Sequence, residues 1–162
     1  MAKALEGIRV IDMTVWFQGP VAAQYLGDFG AEVIKLERPQ GGDQARGVRS
    51  IKSLEIGDWN QYFLVINRNK KSMAVDLKKP GGKEIVYRLV AESDVFLSNL
   101  APSMLDAWGL SYDELKRIKD AAAVAATASP PAGGASTPTP AGTSQAAGSA
   151  AAVQQSQSSE KK

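Results

Sequence analysis

The sequence predicts an α/β fold, a parallel sheet built from βαβ units with a disordered tail behind it. Three observations carry that expectation. Residues 7–37 read strand, helix, strand, the repeating unit of parallel sheets. Residues 72–99 repeat the alternation. Near residue 118 the composition changes character, and side chains able to build a core almost vanish.

Each element has its own signal. "GIRVIDM" (7–13) is a short apolar run with Asp12 near its end and reads as a buried strand. "GPVAAQYLGDFG" (19–30) reads as a helix, because Pro20 suits a first turn, Val21, Tyr25 and Leu26 share a face, and Gly30 fits a C-terminal stop. Phe29 is expected in the core. "AEVIKLE" (31–37) is the second strand, and 39–61 is loop-like. "QYFLVINRNKKS" (61–72) carries an apolar run into a basic turn, from which "SMAVDLK" (72–78) returns as a strand. "PGGKEIVYRLVAES" (80–93) places Ile85, Val86 and Leu89 on one helical stripe, "DVFLSN" (94–99) is a further buried strand, and "SMLDAWGLSYDELKRI" (103–118) divides into two short helices at Gly109. Parallel strands joined by right-handed crossovers make the whole Rossmann-like.

Beyond Ile118 the only aliphatics larger than alanine are Val124 and Val153, and no aromatic residue follows Tyr112. Such a segment cannot bury enough apolar area to offset its ordering entropy. Residues 1–118 are therefore expected to form the folded, incomplete domain, and 119–162 a disordered Ala/Gly/Ser/Thr/Pro/Gln tail.

The 162 residues include no cysteine and no histidine, which excludes disulfides, thiolate and imidazole catalysis, and metal sites built on either ligand. No metal or covalently held cofactor is expected. A formal net charge of +2 provides no bulk attraction for nucleic acid. No leader-like or membrane-spanning apolar run is present, so the expected location is cytoplasmic, with no membrane partner.

The charged motifs are modest one by one. "DFG" (28–30) and "EVIK" (32–35) echo kinase signatures in the wrong order and without the His-containing loop. "QGGDQARG" (40–47) is neither a GxGxxG fingerprint nor a P-loop. What remains is a strand that releases Arg38 at its carboxyl end, where open α/β sheets bind ligands. A guanidinium there suits a phosphate or carboxylate; a surface arginine paired with Glu37 or Asp43 explains it equally well. "NRNKKS" (67–72) reads more readily as a solvated basic turn, and Asn99 as a turn or capping residue. No carboxylate pair is arranged for acid–base work.

The order of motifs says more. The succession "LEGIRVIDMT", "GPVAAQYLGDFGAEVIKLERPQGGDQAR", "YFLVINRNKKSMAVDLKKPGGKEIVYRLVAESDVFLSN" and "GLSYDEL" resembles the N-terminal part of type III CoA-transferases, the family of formyl-CoA transferase and carnitine CoA-transferase. The likeness covers residues 5 to about 118, with 19–46 the most specific block. It implies a reaction in which an aspartate attacks an acyl-CoA thioester, passing through a mixed anhydride and an enzyme–CoA thioester to move CoA onto a carboxylic acid. It further implies coenzyme A contacts at Phe17 and Gln18, at Arg38 for the nucleotide end, at Val75, Asp76, Leu77 and Lys78, and at Asn99, Leu100 and Ala101. Acyl-CoA and a carboxylic acid are then substrates, and the partner is a second, interlocked subunit or a paralogue.

This sequence departs from the pattern at three places. Phe17 stands where formyl-CoA transferase has a glutamine, with Gln18 one residue later. Ala107 stands where the family has a CoA-binding arginine. The nucleophilic aspartate belongs beyond "GLSYDEL", yet none follows Asp120. Echoes of a family strand in "VAATAS" (124–129) and of a QAxxG helix in "TSQAAGS" (143–149) would set the Asp position near Ala141. The implied product is the N-terminal, CoA-binding part of such an enzyme, inactive alone and exposing apolar faces. The alternatives are a non-catalytic CoA-binding partner subunit and, third, an α-methylacyl-CoA racemase-like fragment.

Overall fold

The computed structural model describes residues 2–48, 55–56 and 59–128. Four parallel strands form the main sheet: β1 (Arg9–Met13), β2 (Glu32–Glu37), β5 (Lys70–Ala74) and β6 (Val95–Ser98), in the order β5-β2-β1-β6. A two-stranded antiparallel ribbon joins β3 (Glu55–Ile56) to β4 (Trp59–Asn60). The α/β expectation therefore holds, with both predicted βαβ alternations in place.

The order fixes a direction. From β1 the chain steps to β2 and on to β5, then crosses back to lay β6 on the other side of β1. The connecting helices divide accordingly. α1 (Gln18–Asp28) and α2 (Gln61–Asn67) pack together on one face, and α3 (Pro80–Ala91) packs with α5 (Tyr112–Ala128) on the other. Crossovers running in opposite directions need opposite faces if both keep the same hand. α4 (Pro102–Trp108) links β6 to α5 and ends at Gly109, whose φ of 72° is the left-handed cap that glycine accepts most easily.

The core alternates with period two along β1. Val10 and Val33 meet Ala23 and Ala31 beneath α1, while Ile11, Met13 and Leu36 meet Val86, Val90, Leu110 and Leu115 on the opposite face. β1 is buried on both sides, and its registers run Ile11 to Ile34 and Ile11 to Phe96.

Several expectations are corrected in detail. The fully buried face of α1 is Pro20, Ala23, Gln24 and Gly27, because small residues let the helix lie close to the sheet; of the expected Val21, Tyr25 and Leu26, Leu26 packs at the margin of that core while Tyr25 is exposed. A Cβ at Gly27 would come within 3.1 Å of the Asn69 carbonyl. Phe29 is 57% exposed, since it caps α1 beyond the sheet instead of facing it. In α3 the buried stripe is Val86 and Val90, with Ile85 turned outward. The strand expected at 72–78 runs Lys70–Ala74; Val75 makes one further bond to the Glu37 carbonyl before Asp76 accepts from the Lys78 and Lys79 amides and turns the chain into α3. The last helix continues to Ala128, past the expected limit at 118, so Val124–Ala128 is helical and not the strand that "VAATAS" echoes. Residues 129–162, including Ala141, lie outside the described residues.

The Asp76 turn and the start of α3 touch at Gly82, where a Cβ would collide with the Asp76 carbonyl. Gly81 next to it has open space. Gly82→Ala should cost about 1–3 kcal/mol through overpacking. Gly81→Ala should be neutral or stabilise by about 0.5–1 kcal/mol. Urea midpoints of the two variants check the contrast.

Candidate functional site

Because all four strands are parallel, their carboxyl ends share one edge of the sheet. The ten residues expected to contact coenzyme A all follow those ends in the chain. Phe17 and Gln18 follow β1, Arg38 follows β2, Val75, Asp76, Leu77 and Lys78 follow β5, and Asn99, Leu100 and Ala101 follow β6. The direction of winding reverses between β1 and β6, which in open α/β sheets opens a crevice at the strand ends.

Asn99 closes that switch point. Its Oδ1 accepts from the Val15 amide at 2.9 Å and its Nδ2 donates to the Val15 carbonyl at 2.8 Å, extending the β1–β6 pairing through a side chain. It neither caps α4, whose N-cap is Ala101, nor serves as an isolated turn residue. The next residue, Trp16, has a φ of 70°, a conformation that costs a bulky side chain energy and holds only where its surroundings enforce it. Trp16 and Phe17 are both about half exposed, and the Phe17 ring lies 5.8 Å from Tyr62. α1 starts immediately behind, with no acidic residue in its first turn and no side-chain cap, so its amide dipoles are left facing the crevice. Gly19 permits the approach, since a Cβ would sit 2.6 Å from Thr14 Cβ and 3.1 Å from Asn99 Cγ.

Arg38 is exposed, and its Nε donates to the Gly42 carbonyl at 2.9 Å. It has no acidic partner among the described residues. The carboxylates suspected of pairing with it are engaged elsewhere. Glu37 takes a two-pronged contact from Arg46, at 2.7 Å on each oxygen, together with the Asp43 amide and the Ser72 hydroxyl. Burial pushes the Glu37 carboxyl up, but those hydrogen bonds outweigh it and hold the group at about 2. Arg46 also covers the Phe63 ring at 3.7 Å.

Asp43 belongs to a buried cluster that sequence reasoning did not find. Lys35 Nζ lies 2.8 Å from Asp43 Oδ2, donates to the Thr14 carbonyl at 2.7 Å, and lies 3.9 Å from Asp12. Lys70 donates to Asp12 at 2.8 Å, to the Pro20 carbonyl at 2.8 Å and to Asn67 at 2.9 Å. Burial pulls the Lys70 ammonium below the usual lysine range, partly offset by Asp12. The "NRNKKS" segment is thus no free solvated turn: Lys70 is internal, Arg68 pairs with Asp28 and Lys71 with Glu32. The available signal was Asp12 and Lys35, charged residues at matching depth in two strands otherwise read as buried.

Two further features frame the edge. Ala107, where the resemblance led us to expect an arginine, lies exposed on α4. A groove of ≈ 510 Å³ runs beside β6, lined by Val95, Phe96, Leu105, Leu110, Tyr112 and Leu115. The described residues contain no cluster fit to hold a metal and no helix long and apolar enough to cross a membrane.

The model of CoA-transferase family III matches residues 5–157. The chain belongs to that family. It is 45% identical over 116 residues to succinyl-CoA:glutarate CoA-transferase of Homo sapiens, covering 72% of this chain and 26% of the relative. It is 41% identical over 126 residues to formyl-CoA:oxalate CoA-transferase of Afipia carboxidovorans, covering 78% and 29%. Among solved structures, a CAIB/BAIF family protein from Brucella suis matches with a TM-score of 0.66 at 36% identity, over 73% of this chain and 31% of that one. The chain therefore spans under a third of the length of these family members.

Glu37 gives the strand-end loop a pH signature. Its carboxyl is depressed in the folded chain, so its contribution is present above the ordinary value of 4.5 and lost as pH falls toward about 2. Glu37→Gln should cost about 1–3 kcal/mol at neutral pH. It should also flatten the loss of stability across that acid window, as read by thermal melts between pH 7 and 2.

Proposed function

We propose that residues 1–128 are the coenzyme A-binding part of a type III CoA-transferase. The observation that carries the reading is the convergence of the ten candidate contact residues on one edge of a parallel sheet, with Arg38 exposed there and no acidic partner among the described residues. Arg38 would meet the phosphates of the nucleotide end. The amino end of α1, with no acidic residue in its first turn and no side-chain cap, would favour the same negative charge. Residues 75–78 and 99–101 would line the rest of the cofactor. Since no aspartate follows Asp120, the chain on its own should not turn over. Relatives named for glutarate and oxalate point to a dicarboxylate acceptor class as the first substrates to try with a completed enzyme.

A second reading, a non-catalytic CoA-binding subunit working with another chain, draws on the exposed Trp16 and Phe17 and on the apolar groove beside β6. A stable complex with a second polypeptide during purification would favour it.

Calorimetric titration of the 162-residue chain with CoA tests the first reading. Arg38→Ala should bind about tenfold or more weakly, the loss expected for a charged hydrogen bond of about 1.5–3 kcal/mol. Equal affinity would remove Arg38 from the site. Transfer of CoA between an acyl-CoA and a carboxylate by the purified chain would show that a nucleophile lies within it.

A further inference from the structure

We propose that Lys35 is the positioning residue of the crevice, a buried clamp that sets the distance between its two walls. One wall is the loop after β1, which carries Phe17 and Gln18; the other is the loop after β2, which carries Arg38. Lys35 Nζ holds the first through the Thr14 carbonyl at 2.7 Å and the second through Asp43 Oδ2 at 2.8 Å. The lysine is itself almost fully buried in β2, in register with Asp12 of β1, so its ammonium starts from a fixed base.

Each wall is in turn tied to what it presents. Asp43 Oδ1 accepts from the Ala45 amide, and the Asp43 amide donates to Glu37, which closes the loop behind Arg38. Thr14 is fastened to Asp12 through its amide and hydroxyl, and the next residue, Val15, is paired with Asn99. A ligand spanning both walls gains affinity when their separation is set before it arrives. A lysine does this where a shorter side chain could not: one ammonium on a long stem donates to the Thr14 carbonyl of one loop and ion-pairs with Asp43 of the other, and it remains stable inside because two aspartates face it. The consequence for CoA rests on the reading given above; the clamp itself does not.

The test uses the full chain and the double variant Lys35→Met/Asp43→Asn. Each single change strands a buried charge and is expected to lower the melting temperature. The double change removes one charge of each sign, leaves Asp12 paired with Lys70, and should recover most of that loss. Hydrogen exchange in the absence of ligand should then be faster at the amides of Val15 and Ala45, with the β1–β2 ladder unchanged. CoA should bind the double variant about tenfold more weakly than the unsubstituted chain. A double variant that melts normally and shows unaltered exchange in both loops overturns the clamp. Loosened loops with unaltered CoA affinity overturn its role in positioning for CoA. If the unsubstituted chain binds no CoA while both loops loosen in the double variant, the clamp stands and the CoA reading is what fails.

Discussion

A charge placed inside a protein must find its opposite or leave, and beneath the crevice this structure holds a linked set of four. Asp12, Lys35, Asp43 and Lys70 come from β1, β2, the loop beyond β2 and β5, and they sum to zero net charge beneath the crevice. Taking such groups out of water costs several kcal/mol each, and only close pairing repays it. Loops that would otherwise be free are therefore drawn to fixed places. The segment around Asp43 must fold down over the end of β2, and the opening turn of α1 must offer its Pro20 carbonyl to Lys70. The shape of the crevice floor follows from that electrostatic requirement more than from apolar packing.

The face of the sheet beneath α1 changes along its length in the same sense. Near the amino ends it is aliphatic, with Val10 and Val33 against Ala23 and Ala31. One step on it becomes Asp12 and Lys35, and at the carboxyl edge it becomes Thr14, Glu37 and Asn99. Alternation puts every second residue of a strand on one face, so this progression is written in β1 and β2 as interleaved letters. Packing holds the amino half together, while the carboxyl half is held by polar contacts that can also meet a ligand.

That interleaving explains what could be read in advance. "GIRVIDM" and "AEVIKLE" were legible as strands because each is a short run with valine and isoleucine at its centre, and the βαβ order followed. The strand-end position of Arg38 and Asn99 was legible for the same reason. The depth of Lys35 and Lys70 was not. A lysine within an apolar run looks like a solvent-facing residue until its cross-strand neighbour is known, and pairing partners from distant strands leave no local mark. Phe29 misled in the opposite way, since its hydrophobicity said nothing about a helix ending past the edge of the sheet. Gln61–Asn67 carried a strand-like run of aromatic and branched residues, yet it forms a helix capped by the Asn60 side chain.

The central position of β1 also has a consequence in time. Ile11 is hydrogen-bonded on one side to a strand that follows after a single helix and on the other to a strand containing Phe96. The strand made before the other three of its sheet is thus among the last to acquire both neighbours. While the ribosome makes everything from β2 to α3, one edge of the deeply buried β1 stays unpaired. Non-local parallel pairing of this kind is slow, and a waiting edge is where nascent chains find wrong partners. The growing polypeptide would need protection over that interval, and the demand would ease only when residues 95–98 emerge.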